Sequence, residues 1–316
     1  MNSFGRNFRV SVFGESHGEA IGVVVDGVKA GIPICEEDFL EDISRRKSGS
    51  KGTTPRIEAD EPEILSGVFE GHTTGAPIAI IFRNTNTRSS DYEALKDIPR
   101  PGHADYTASV KWNGFNDPRG GGHFSGRLTL PLVAAGVIAK KQSGFSFKAD
   151  LVEVGGEADK DKWPAMLKET AREGDSLGGV VECQVEGVPA GLGEPFFDSV
   201  ESLISHAVFS IPGVRGVEFG DGFAASRMKG SEHNDCFPLT RNGAGGVNGG
   251  ITNGAPIVFR VAFKPTSSIA KTQRTLNIKT GEVADLQIRG RHDTCFALRT
   301  PVIVEAVAAI VLAGLR

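Results

Sequence analysis

The sequence has few cysteines and no cysteine motif typical of a metal site or a set of disulfides. Its four cysteines are scattered, and none belongs to a Cys-x-x-Cys pair. They are Cys35, Cys183, Cys236 and Cys295. This spacing argues against a zinc site or a disulfide framework and is typical of reduced thiols in a cytoplasm. We expect a cytoplasmic protein and no bound metal.

Membrane segments, excess charge of one sign and common nucleotide-binding motifs are also missing. The start of the chain has no apolar signal region, and the most apolar run, 302–313, is interrupted by Glu305 and is too short to span a bilayer. A net charge of −4 excludes a grossly basic nucleic-acid binder. No Gly-x-Gly-x-x-Gly or P-loop motif occurs, which argues against a dehydrogenase or a P-loop kinase. We expect neither a nucleic-acid nor a membrane partner.

Glycine, in contrast, is abundant. It makes up 41 of 316 residues, against a usual share of about 7%. It has no collagen-like period, so we expect the excess in turns and in loops where the backbone approaches a ligand. No linker or fixed-period repeat divides the chain, and we interpret residues 1–316 as a single domain.

Hydrophobic periodicity predicts a mixture of strands and helices. The predicted strands are Ile21–Val28, Glu63–Phe69, Pro77–Phe82, Phe145–Val154, Val180–Val188 and Ile257–Phe263. The predicted helices are Glu36–Arg46, Leu128–Lys141, Lys160–Arg172, Ser199–Phe209 and Val302–Leu315. Asp198 and Glu201 resemble a capping box at the fourth helix. Because strands come in paired runs, we predict an α+β fold with a helix-covered core of antiparallel β-sheet.

Polar, glycine-rich segments separate these elements. They are 13–18, 44–54, 100–106, 119–127, 242–250, 264–268 and 290–295. Each segment alone has an ordinary explanation. His17 could be a solvated or capping residue in a plain turn, and the cations after the first helix could complement the dipole of that helix. Glycine-rich backbone with Arg, Lys and His also suits phosphate and carboxylate groups. Taken together, the segments suggest one deep site for a polyanion.

The same segments resemble the chorismate synthase family. The similarity includes Ile-Leu-Ser-Gly-Val-Phe-Glu-Gly-His-Thr-Thr at 64–74, His-Ala-Asp-Tyr-Thr at 103–107, Lys-Pro-Thr-Ser-Ser at 264–268 and Gly-Arg-His-Asp at 290–293. It is collinear from near the N-terminus to the last helix. The resemblance implies a β-α-β sandwich, a homotetramer and a lyase of the shikimate pathway of aromatic amino acid biosynthesis. The implied reaction is the anti 1,4-elimination of phosphate from 5-enolpyruvylshikimate 3-phosphate to give chorismate, using reduced FMN without net redox change.

The resemblance also implies roles for individual residues. His17 would be the acid that assists the departing phosphate, and His103 would stabilise or protonate the reduced flavin near N1. Asp293 would act near flavin N5 in removing the substrate proton, and Ser16 and Ser125 would support these groups by hydrogen bonds. The cations for substrate or flavin phosphate would be Arg45, Arg46, Arg100, Arg127 and Arg291.

Cofactor contacts follow from the same matching. They would come from His123, Phe124, Ser125, Pro212, Gly213, Gly249, Lys264, Pro265, Thr266, Ser267, Ser268 and Arg291. Arg46 and Lys51 fall where the family contacts NADP, so NADPH-dependent flavin reduction by the chain itself is one alternative. Its compact length favours instead an external flavin reductase, with NADPH only an indirect reductant.

The chain departs from the family pattern in three places. It has His-Phe-Ser-Gly-Arg-Leu-Thr at 123–129, where most members have Arg-Ser-Ser-Ala-Arg-Glu-Thr. Thr294 replaces the usual proline, and Lys51-Gly52 replaces the usual Arg and Tyr. The altered loop motivates the other alternative, a catalytically silent flavin- or anion-binding protein on the same fold. Ser125 and Arg127 are retained, so we expect the chemistry to persist.

Overall fold

The computed structural model of the chain describes residues 1–49, 52–53, 58–85, 96–238, 240–288 and 292–315. Its strands are β1 (Ser3–Phe4), β2 (Arg9–Gly14), β3 (Ala20–Asp26), β4 (Glu63–Ile64), β5 (Val68–Phe69), β6 (His72–Thr73), β7 (Ile78–Arg83), β8 (Ser146–Val154), β9 (Gly179–Glu186), β10 (Val214–Phe219), β11 (Val247–Asn248), β12 (Ile251–Thr252), β13 (Ile257–Phe263), β14 (Gln273–Leu276) and β15 (Val283–Leu286). Its helices are α1 (Leu40–Arg46), α2 (Asp105–Lys111), α3 (Thr129–Ser143), α4 (Trp163–Arg172), α5 (Val200–Val208), α6 (Gly230–His233) and α7 (Pro301–Gly314).

Two antiparallel sheets dominate the fold. The first has the strand order β1-β2-β3-β7-β4 and the second the order β10-β13-β9-β8. Alternate residues of β13, from Ile257 to Phe263, are buried on one face, while those between them are half-buried on the other. This period of two is what a strand needs in order to cover a core with one face only.

Helices α3 and α7 form a middle layer between the two sheets. α3 packs against β3 and β7 of the first sheet, and α7 packs against β8 and β9 of the second. The two helices cross closely at Gly136, where a Cβ would lie 2.3 Å from the Cβ of Ala306. The sheet–helix–sheet order is the β-α-β sandwich, so the predicted α+β fold class is confirmed.

Helix α7 carries one charge in an otherwise apolar sequence. Residues 302–313 are all buried, as expected for a helix that is apolar on every side, and among them Glu305 is only 1% exposed. Its carboxylate accepts hydrogen bonds from Arg45 at 2.6 and 2.8 Å, from Lys140 Nζ at 2.8 Å and from the Ala149 N–H at 2.9 Å. These bonds join α7 to α1, α3 and β8.

Most predicted elements are present, with three differences in detail. The capping box was wrong: Ser199 is the N-cap of α5, its hydroxyl accepts from the Ser202 N–H, and Asp198 instead pairs with Arg6. The predicted strand Glu63–Phe69 is interrupted at Gly67, whose φ is 80°. The first helix begins with a 3₁₀ turn at Glu36–Phe39. Among the described residues, the helices are all too short or too polar to cross a membrane.

Candidate active site

A cavity of about 800 Å³ lies where the ends of several elements meet. Its wall includes the end of α1, the loop before α3, the turn after β13 and the segment before α7. The predicted site residues on this wall are Ser16, Arg46, Arg100, His103, His123, Phe124, Ser125, Arg127, Pro212, Gly213, Lys264, Pro265, Thr266, Ser267, Ser268 and Asp293. Segments separated by more than 200 residues are thus brought to one place.

The glycine loop 120–122 brings His17 and Ser16 close to this cavity. All three glycines have positive φ angles, between 54° and 85°, which other residues rarely adopt. The carbonyl of Gly122 accepts a hydrogen bond from the Ser16 N–H at 3.1 Å. A Cβ at Gly120 would lie 2.8 Å from Nε2 of His17. The buried His17 ring therefore packs directly behind the glycine that lines the wall.

Two buried arginines share one carboxylate on another part of the wall. Asp60, which is 4% exposed, accepts from Arg46 Nη2 at 3.0 Å and from Arg127 Nη1 at 2.7 Å. Burial lowers the pKa of Arg46 to about 10, and the positive charges of Arg299 and Arg127 act in the same direction. Asp60 thus pairs with both guanidinium groups, and the buried Glu58 lies on the same wall.

Arg299 and Asp293 form a second ion pair on the wall. Arg299 Nη2 lies 2.7 Å from Asp293 Oδ2, and its guanidinium lies 4.9 Å from the centre of the Phe296 ring. Asp293 is 8% exposed. Arg299 thus holds the predicted Asp293 carboxylate in place.

His103 and Arg100 are held together by Asp105. The carboxylate accepts from Arg100 Nε at 2.7 Å and Nη2 at 2.8 Å, and it lies 2.6 Å from His103 Nδ1. Arg100 Nη1 donates to the Ser268 hydroxyl at 3.1 Å. Burial alone would raise the pKa of Asp105, but the bonds from Arg100 and His103 outweigh it and hold that pKa well below its ordinary range.

The turn after β13 contributes a partly buried lysine to the cavity wall. Lys264 Nζ donates to the Ser267 hydroxyl, which in turn donates to the Gly102 carbonyl at 2.8 Å. Burial first, and the nearby Arg215 second, lower the pKa of Lys264. The turn is therefore tied to the segment that carries His103.

Several buried polar atoms at the cavity have no hydrogen-bond partner among the described residues. They are Arg46 Nε, Arg299 Nε, Thr266 Oγ1 and His292 Nε2. Burying such groups without a partner costs free energy. The two arginine nitrogens are donors, and the threonine hydroxyl and the histidine nitrogen can also donate. This donor set fits a ligand with several anionic oxygens, such as a phosphorylated carboxylate or FMN.

Some predicted site residues are placed elsewhere. Arg45 does not line the cavity, because its guanidinium bonds Glu305 and Asp42. Gly249 follows β11 and is not on the cavity wall. Lys51 and Arg291 lie outside the described residues.

The two unusual side chains of the altered loop, His123 and Phe124, contact other parts of the chain. His123 Nδ1 lies 2.7 Å from the Gly14 carbonyl and its Nε2 lies 3.2 Å from Asn2 Oδ1. Phe124 packs on Trp112, with ring centres 5.6 Å apart. Both side chains still line the cavity.

The sequence patterns missed Asp60, Asp105 and Arg299 as site residues. Asp60 stands in an acidic stretch that resembles a solvated surface, and Arg299 follows Phe296-Ala-Leu without glycine nearby. Asp105 was visible only as part of the His-Ala-Asp-Tyr-Thr motif. A usable signal was charge complementarity, since each of these residues has a charged partner in a predicted segment.

Comparisons with known proteins identify the family of the chain. The chorismate synthase family model matches residues 8–315. A chorismate synthase of Chitinophaga pinensis is 64% identical over 99% of this chain and 96% of that protein. A chorismate synthase of Dehalococcoides mccartyi is 46% identical over 99% of this chain and 96% of that protein. A crystal structure of chorismate synthase matches with a TM-score of 0.75 and 29% identity, covering 99% of this chain and 92% of that chain. The chain therefore belongs to the chorismate synthase family.

Proposed function

We propose that the chain forms chorismate by the anti 1,4-elimination of phosphate from 5-enolpyruvylshikimate 3-phosphate, with reduced FMN as cofactor. The observation that carries the proposal is the convergence of Arg46, Arg127 and Arg299 with His103 and Asp293 on one cavity. The substrate has two carboxylates and a phosphate, and these need fixed cations in a site shielded from water. Family membership supports the same activity.

The elimination breaks one C–H bond and the allylic C–O bond to phosphate, and it forms one C=C bond. His17 would protonate the departing phosphate, while Asp293, held by Arg299 at 2.7 Å, would take part in removing the substrate proton. His103 would face the reduced ring with Nε2, because its Nδ1 is engaged by Asp105. Arg46 and Arg127 would bind anionic oxygens, and the fixed position that Asp60 gives them lowers the cost of orienting the substrate.

FMN would be held by the Lys264–Ser268 turn and by Ser125, Pro212 and Gly213. The Thr266 hydroxyl, which has no partner in the described part of the chain, and the Lys264 amine suit its phosphate. Reduced flavin, when bound, supplies the electron-rich ring that the elimination needs. The chain's own residues supply charge, orientation and protons.

We further propose that the chain is a single domain, works in the cytoplasm as a homotetramer, and receives reduced FMN from an external flavin reductase. Among the described residues, thirteen large hydrophobic side chains, including Phe196 at 84% and Phe197 at 93%, are at least half exposed in the isolated chain, which favours an assembly. Intrinsic reduction by NADPH is tested by aerobic NADPH oxidation with added FMN. Rapid turnover there would refute the external-reductase proposal.

The main test is anaerobic mixing of the protein with reduced FMN and the phosphorylated substrate. We expect release of one phosphate per chorismate formed. The negative control is the same mixture with oxidised FMN in place of reduced FMN, and it should release no phosphate. Binding of both ligands without phosphate release would instead favour the silent flavin- or anion-binding protein. The His123–Phe124 departure is the observation that keeps this second function in view.

A further inference from the structure

We propose that Asp105 is a positioning residue that keeps the proton of His103 on Nδ1 and so leaves Nε2 as the nitrogen available to a ligand. The proposal rests on the proposed function for the role of His103. Asp105 itself is set back from the wall: the cavity is lined by Arg100, Gly102, His103 and Ala104, but not by Asp105. It would therefore act through the imidazole rather than on the reacting atoms.

The position of the proton follows from the three-residue contact. Asp105 Oδ1 lies 2.6 Å from His103 Nδ1, a distance at which one of the two atoms must carry a hydrogen. Arg100 binds the same carboxylate through Nε and Nη2 at 2.7 and 2.8 Å and keeps it ionised. The carboxylate has no proton to give, so Nδ1–H is the donor.

A second contact at Nδ1 would, taken alone, favour the opposite tautomer, but the shorter contact with the carboxylate decides between the two. Arg100 Nη2 lies 3.1 Å from His103 Nδ1. A guanidinium nitrogen cannot accept a hydrogen bond, so when Nδ1 is protonated the two nitrogens are only neighbours. The shared acceptor for both is the Asp105 carboxylate.

The other side of the ring is open because of a glycine. A Cβ at Gly121 would lie 3.4 Å from His103 Nε2 and 3.3 Å from Cε1, so a larger residue would crowd that nitrogen. The His103 side chain keeps 20% of its surface exposed. Nε2 is thus the ring nitrogen that a ligand in the cavity can reach.

Two other charged groups near His103, those of Asp293 and Lys264, have partners of their own among the described residues. From the late segment, Asp293 is paired with Arg299, and burial followed by the charge of Arg100 lowers the pKa of His292. From the turn after β13, Lys264 reaches this region only through Ser267 and the Gly102 carbonyl. Among the described residues, Asp105 is the acid in contact with the ring.

Replacement by asparagine should move the proton. Arg100 presents its backbone N–H and two guanidinium N–H groups to the carboxylate, and asparagine has one oxygen for them. With that oxygen facing Arg100, the side-chain NH₂ faces Nδ1, which must then accept, and the neutral imidazole carries its proton on Nε2. Nε2 can then no longer accept a hydrogen bond from a ligand, and a doubly protonated ring that donates from Nε2 has lost the carboxylate that stabilises it.

The test is ¹⁵N NMR of the ring of His103 in the ligand-free full-length protein, at about pH 8.5, where an ordinary imidazole is neutral. We expect an Nδ1–H tautomer in the wild type and an Nε2–H tautomer in Asp105→Asn. Glu63→Gln, which removes an exposed carboxylate from Arg83, is the matched control and should leave His103 unchanged. An Nε2–H tautomer in the wild type overturns the proposal even if the variant fails to fold.

Kinetics supply the second readout. We expect Asp105→Asn to lower kcat by about 10²-fold or more, as for a misplaced proton-transfer group, with the substrate KM changed less than threefold. If Asp105→Asn has the same His103 tautomer and the same kcat as the wild type, the positioning role of Asp105 is wrong. Because the NMR measurement needs neither flavin nor substrate, failure of the proposed function would leave its result intact.

Discussion

Replacing the buried Glu305 is the most direct test of whether its ion pairs stabilise the middle layer of helices. Glu305→Gln keeps the size of the side chain and removes its charge, so Arg45 and Lys140 lose one of the two carboxylates that they share and keep Asp42. Breaking a fully buried pair costs about 3–5 kcal/mol. Arg45 is 38% and Lys140 is 21% exposed, and both can regain water. We therefore expect a loss of about 2–3 kcal/mol in the free energy of unfolding.

The effect should depend on pH in a defined direction. Burial would raise the pKa of Glu305, but Arg45 and Lys140 outweigh it and lower that pKa below its ordinary value. A lowered pKa in the folded state means that the stabilisation is complete above the unfolded pKa, about 4.3, and is lost as the pH falls through the folded pKa. The gap between wild type and Glu305→Gln should therefore be widest near neutral pH and narrow in acid.

Urea unfolding at equal protein concentration measures this gap. Equal concentration matters because an oligomer gains stability by mass action. Glu63→Gln, in the exposed pair with Arg83, is the control and should change the free energy of unfolding by less than about 0.5 kcal/mol. A Glu305→Gln value as small as the control's, or a gap that widens in acid, would refute the reasoning.

Three further variants test the packing and the cavity. Gly136→Ala should destabilise the protein by about 1–3 kcal/mol, because the added Cβ would lie 2.3 Å from that of Ala306; an unchanged urea midpoint would contradict the close helix crossing. His17→Ala should lower turnover by about 10²- to 10⁴-fold with FMN affinity nearly intact, and an unaltered rate would remove His17 from its assigned role. Arg127→Ala should weaken the binding of substrate or FMN, since it removes a cation and leaves Asp60 with Arg46 alone; equal dissociation constants for both ligands would argue against its role.

Regular elements were predictable where the hydrophobic pattern was uninterrupted. The predicted strand Ile257–Phe263 and the predicted helix Ser199–Phe209 correspond closely to β13 and α5. Details set by single atoms were not predictable. Ser199 caps α5 because its hydroxyl accepts a hydrogen bond from the Ser202 N–H. In the sequence, Asp198 and Glu201 were an equally plausible capping pair.

The site was predictable as a set of segments rather than as a set of contacts. Glycine-rich loops with cations indicated a polyanion cavity, and most of the named residues line it. Asp60 and Arg299 were missed because pairing between distant charges leaves no periodic trace in the sequence. Each partner looks like a surface residue until the fold buries it.

The adjacent arginines at the end of α1 connect the fold to the site. Consecutive helical residues point about 100° apart, and here Arg45 meets Glu305 in the middle layer while Arg46 meets Asp60 at the cavity. The first pair therefore fixes the rotation and position of the helix end that presents the second. Glu305→Gln should consequently weaken FMN or substrate binding several-fold, although Glu305 itself does not line the cavity. Fluorescence titration with FMN and substrate measures this, and a destabilised variant with unchanged affinity for both ligands would show that the two arginines act independently.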